Sequence, residues 1–184
     1  MNRNIRGFWP MSAFLAALSI SATASGQKPG GVLRTYSPES VASLSMLEEF
    51  ANAQRPIMGM FNNLVMFDQH QKQGSLQSIV PDLAASWAWN EEGTDLTFQL
   101  RQGVKWHDGK PFTAQDVKCT WDLITERTPE KLRINPQKSI YSNLEEVRTR
   151  GDYEVSFHLK QPQPAFPTLL ANGFAVISVP RQSA

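Results

Sequence analysis

The sequence predicts a mixed fold of antiparallel hairpins and helices. Three observations carry that prediction. Alternating apolar residues flank glycine turns twice: Trp87, Trp89 and Leu96, Phe98, Leu100 lie around residues 90–93, then Leu144 to Arg148 and Tyr153, Val155, Phe157, Leu159 around Gly151-Asp152. Period-2 spacing on both sides of a short polar turn marks an antiparallel hairpin, because successive strand side chains point to opposite faces. Between the hairpins, Val117, Trp121 and Ile124 fall close to helical spacing, and Thr113 stands where that helix would open.

Residues 1–24 read as a secretory signal. Arg3 and Arg6 make a basic start, and the mostly apolar run from Phe8 to Ile20 is too short to span a bilayer as a helix. Ala22-Thr23-Ala24 fits the small-x-small cleavage pattern, which places the new N-terminus at Ser25, with a cut after Gly26 as the alternative. A buried N-terminal helix is disfavoured by Pro10 and by the Ser/Ala/Thr-rich end. No Cys follows the apolar run, so an exported, soluble chain without a lipid anchor is expected. The single cysteine, Cys119, cannot form an internal disulfide. Losing residues 1–24 removes two Arg and no acid from the 18 basic and 17 acidic residues, so +1 becomes −1. That balance gives no footprint for nucleic acid or an anionic membrane.

Val32-Leu33-Arg34-Thr35-Tyr36 is a plausible first strand, and residues 37–50 are polar and weakly periodic, as in a connection. Pro56 suits a first helical turn, and Ile57, Met60, Phe61, Leu64 and Val65 then give a helical apolar face. Met58 and Met60 fit core packing better than a soft-metal site. The tryptophans at 87 and 89 could stack on sugars or bases, but alternation beside a second apolar strand favours a buried sheet face.

Residues 100–117 read as a strand end, a turn, a short return strand, a second turn and a helix start. Gly103 and Asp108-Gly109 supply the turn chemistry, since glycine accepts positive φ without a Cβ clash. Thr113 is a good N-cap whose hydroxyl can accept from the Asp116 amide, with the Asp116 carboxylate in the first turn completing a variant capping box. His107-Asp108 beside Trp106 has no further ligands at metal spacing and reads as scaffold. Pro129 is expected to end the helix, residues 130–139 to form a polar, basic loop, and a short helix to run through Leu169-Leu170 with Gly173 as its C′ stop. His70, His107 and His158 lie in turn-like or strand contexts with no nucleophile motif near them, which ranks a hydrolase low.

The run from Leu100 to Val117 resembles the pattern Leu-Arg-x-Gly-Val-x-(aromatic)-x-Asp-Gly-x-Pro-(aliphatic or aromatic)-Thr-Ala-x-Asp-Val of the large solute-binding proteins of ABC transporters, family 5, the dipeptide- and oligopeptide-binding type. Phe61-Asn62-Asn63-Leu64-Val65, Pro81-Asp82-Leu83-Ala84-Ala85-Ser86-Trp87 and Gln161-Pro162-Gln163-Pro164-Ala165-Phe166 are similar to further elements of that family, in the family's order. The resemblance implies an α/β fold, the N-terminal part of a two-lobe periplasmic-binding-protein fold of class II type, with residues 25–50 as the first segment of lobe I and 51–171 as its small, mixed α+β subdomain of antiparallel hairpins and helices. Residues 172–184 either begin a strand returning to lobe I or are an out-of-frame tail. It implies a receptor and not an enzyme, with no catalytic residue, metal or cofactor. Its partners are a peptide or other small solute and the ABC permease subunits, without nucleic acid, and its place is the periplasm. Glu49, Phe50 and Ala51 align with a cleft-lining turn of the family, and Tyr141 with an aromatic that can face the cleft. The remainder of lobe I and all of lobe II are not in this sequence, so the receptor is expected to be truncated. The alternatives are a stand-alone exported interaction module and a non-functional frameshift product.

Overall fold

The computed structural model describes residues 31, 32, 34, 36, 45–48 and 58–178. The chain divides into Met1–Arg34 and Thr35–Ala184. In the first unit Gly31, Val32 and Arg34 are exposed; all that follows concerns the second. The expected signal at 1–24, the proposed contacts Glu49, Phe50 and Ala51, and residues 179–184 lie outside the described residues. So does most of the expected first strand, whose described residue in the second unit, Tyr36, is exposed.

A 3-10 turn, Met58–Met60, leads into β1 (Asn62–Asn63) and β2 (Val65–Phe67), where the apolar spacing predicts a helix. Local hydrogen bonding explains the difference. Asn63 donates its backbone N–H to Asp82 Oδ2 at 2.9 Å and its side-chain amide to the carbonyls of Leu170 at 3.3 Å and Asn172 at 2.7 Å. Asn62 donates to Asp82 Oδ1 at 3.0 Å. Asparagine amides that find such partners draw the backbone out of a helix. Leu64 and Val65, consecutive in sequence, are both buried. β2 pairs antiparallel with β3 (Ile79–Pro81), and the amides of Leu83 and Ala84 bond back to the carbonyls of Asn63 and Leu64.

The two expected hairpins form. β4 (Ala84–Trp89) and β5 (Asp95–Leu100) pair antiparallel, as do β6 (Leu144–Arg150) and β7 (Glu154–Leu159). β5 also pairs with β7, so the sheet order is β4-β5-β7-β6. Asn90 fastens the first turn by accepting the amides of Thr94 and Asp95, each at 2.9 Å. Gly93 and Gly151 adopt positive φ in the two turns. One sheet face is apolar and buried: Leu96, Phe98, Val147, Val155 and Phe157 lie beneath α1 (Ala114–Ile124), with Phe98 and Phe157 edge to face at 5.6 Å. Trp87 and Trp89 are half-buried and pack on this core.

α1 opens as the sequence predicts. The Asp116 carboxylate receives the Thr113 amide at 2.7 Å and its hydroxyl at 3.1 Å within a capping box. The helix stops at Ile124, well before Pro129. The Glu126 amide bonds to Leu123 O at 3.2 Å and the Arg127 amide to Asp122 O at 2.7 Å, the paired bonds of a Schellman ending. α2 (Phe166–Leu170) likewise ends at Ala171, before Gly173. β8 (Val176–Ile177) then pairs antiparallel with β1, Asn62 opposite Ile177 and Asn63 opposite Val176. Val176 and Ile177 are buried against this unit, because Asn62–Asn63 offer an edge and α2 ends beside it.

Candidate functional site

Tyr141 is the one predicted ligand contact among the described residues. It follows the 130–139 loop and precedes β6, and its ring inserts under α1, edge to face with Trp121 at 4.5 Å and with Phe166 at 6.4 Å. Only 3% of it is exposed, and its hydroxyl lies 3.4 Å from Leu169 O, a weak bond. Burial pushes the phenol well above its usual range. Above it opens a cleft of about 540 Å³, with Tyr141 and Leu144 at its base and Thr125, Arg127, Asn135, Lys138, Ser142 and Lys160 around it. The sequence signals this cleft only through the basic character of the 130–139 loop, since its other residues come from the end of α1, the start of β6 with the residues just before it, and the end of β7.

A second cleft, of about 480 Å³, lies at the β1–β8 end, between Phe61, Met66, Phe67, Asp82, Asn172 and Val176. Its polar groups already serve the fold: both Asp82 oxygens accept from Asn62 and Asn63, and Asn63 bridges to the end of α2. What it presents to a ligand is chiefly apolar wall. The stretch that contains Glu49, Phe50 and Ala51 precedes Met58 in sequence.

Neither cleft carries the parts of a hydrolase among the described residues. His158 contacts Asp95 through Nδ1 at 3.0 Å and Glu145 through Nε2 at 3.5 Å, so both ring nitrogens face carboxylates and neither faces a nucleophile. His70 and His107 are exposed in turns. No group of three His, Cys, Asp or Glu able to hold a metal occurs among the described residues, and no described helix is long and apolar enough to cross a membrane.

The description of bacterial extracellular solute-binding proteins, family 5 (Middle), matches residues 78–183. A dipeptide-binding protein of Escherichia coli is 31% identical over 131 residues, covering 64% of this chain and 24% of the relative. A putative ABC transporter peptide-binding protein of Brucella ovis is 35% identical over 105 residues, 57% of this chain and 18% of that protein. Among solved structures, the periplasmic binding protein AgaA of A. tumefaciens, in complex with agropinic acid, superposes with a TM-score of 0.63 at 25% identity, covering 76% of this chain and 26% of its own. The chain thus spans about a quarter, or less, of the relatives it matches.

Proposed function

This chain belongs to the bacterial extracellular solute-binding proteins, family 5, and on that premise we propose that it is the subdomain-bearing part of a periplasmic receptor for an ABC importer, with peptide as the solute. The observation that carries the reading is the family match over residues 78–183, across which the two hairpins, α1, α2 and β8 fold as one unit. Peptide is favoured over other solutes by the named ligands of the E. coli and Brucella relatives. Receptors of this type close two lobes around their ligand, and a cleft that buries 70–90% of a solute needs both walls. In this reading Glu49, Phe50 and Ala51 contribute to the ligand wall, Tyr141 supports the subdomain from beneath, and the permease is the membrane partner.

A chimera tests it. Residues 25–178 replace the matching quarter of the E. coli dipeptide-binding protein, and dipeptide affinity is measured by calorimetry. Retained binding, weakened about tenfold or more by Glu49→Ala, is the expected result. A folded chimera without dipeptide affinity overturns the peptide assignment, and an unchanged Glu49→Ala affinity removes Glu49 from the wall. A second reading, an exported interaction module, is favoured by one observation: β8 finds its partner in β1 within the same unit. It predicts that the 184-residue chain is a defined species by light scattering and shows no thermal shift with any peptide.

A further inference from the structure

We infer that the cleft above Tyr141 is a binding site for a small solute bearing two or more anionic groups, carboxylate or phosphate. Its volume of about 540 Å³ falls within the usual size of small-molecule sites, roughly 300–1,000 Å³. Its rim carries three cations, Arg127, Lys138 and Lys160. Glu126 binds Lys138 at 2.5 Å, and Glu146 lies within electrostatic range of Arg127. Lys160 Nζ donates to the Ser142 carbonyl at 2.7 Å, which leaves its charge uncompensated. Arg127 forms no ion pair within 4 Å among the described residues. Two positive charges therefore converge on one concave surface of a chain whose total is +1. The hydroxyls of Ser139 and Ser142, also on that surface, form no hydrogen bond among the described residues and are available as donors.

The cations sit on anchored backbone. Arg127 follows the Schellman ending of α1, fixed by its own amide on Asp122 O at 2.7 Å. Lys138 follows a loop tied to that helix by the Asn135 side chain on Ile124 O at 2.8 Å, and its amide bonds to Asn135 Oδ1 at 3.2 Å. The Lys160 amide bonds to Asn143 O at 2.9 Å. Three segments are thus held with their cations around one cavity, and little ordering remains to oppose binding. Glu126 acts as an internal competitor, because an anion in the cleft must share Lys138 with it.

The test uses the whole 184-residue chain at low ionic strength, titrated calorimetrically with citrate and, separately, with inorganic phosphate. Saturable binding of at least one probe is expected. Citrate binding without phosphate identifies a carboxylate solute, phosphate without citrate a phosphate-bearing one, and binding of both the shared dianion chemistry. The double variant Arg127→Gln, Lys160→Gln should weaken binding at least tenfold, with circular dichroism confirming the fold. Glu126→Gln should tighten it several-fold, a gain that a purely structural role for Glu126 does not produce. Absence of saturable binding to either probe, or binding unchanged in the folded double variant, overturns the inference. No peptide is involved, so failure here is distinguishable from failure of the receptor reading.

Discussion

At the scale of single residues, Glu126 combines two tasks that usually fall to different side chains. Its φ of 60° occupies the left-handed region at the end of α1, where glycine is the ordinary solution. A glycine there would terminate the helix without steric cost but could not hold Lys138. The carboxyl group lies below its usual range because Lys138 hydrogen bonds to it. Neither role was legible in the sequence, which offered Pro129 as the obvious terminator. Tyr141 presents the opposite case, a polar side chain whose environment is apolar. Its folded-state pKa is raised by burial, so the stability linked to its neutral form is complete below the ordinary phenol pKa of 10.0. That stability is lost as pH climbs from there toward the folded value, by about 1.4 kcal/mol per unit. In an alkaline titration the Tyr141 phenolate should appear together with the loss of circular dichroism, and Tyr141→Phe should shift the alkaline unfolding midpoint upward. An unchanged midpoint would show that the ring is not sealed beneath α1.

At the scale of elements, legibility followed the range of the forces involved. The hairpins were readable because alternation and turn residues are local, and both strand pairs and their glycine turns stand as expected. The opening of α1 was readable for the same reason. The segment from Ile57 to Val65 was misread because its apolar residues happen to recur at helical spacing. What decides its conformation is Asp82 and the end of α2, up to 109 residues away. The basic cleft was hidden likewise, its cations coming from three segments. The local devices can be weighed against each other. Thr113→Ala removes the capping hydroxyl and should cost about 1 kcal/mol. Gly109 has φ of 86° and open space, with nothing within 4 Å, where a Cβ would stand, so Gly109→Val meets backbone strain and no clash; its cost should be about 1–3 kcal/mol. Denaturant midpoints measure both, and equal negligible effects would contradict the turn and the cap together.

At the scale of the whole molecule, the decisive contact is the meeting of β1 and β8. It joins Asn62–Asn63 to Val176–Ile177 within the second unit. Had β8 served only as a strand departing toward another lobe, its apolar side chains would depend on residues elsewhere. Instead Ile177 is 2% exposed within this chain, in the same core as Leu64, Phe112 and Ala171. The buried Asn63 reinforces the closure by tying β1 to the carbonyls that end α2. Ile177→Ala should therefore destabilise the 184-residue chain by about 2–4 kcal/mol through lost burial and the cavity left behind. Asn63→Ala should cost about 1–3 kcal/mol, since it strands the carbonyls of Leu170 and Asn172. The two sites share one packed junction, so the double variant should depart from additivity by at least about 0.5 kcal/mol. A neutral Ile177→Ala would mean that β8 closes nothing here and draws its packing from outside this unit.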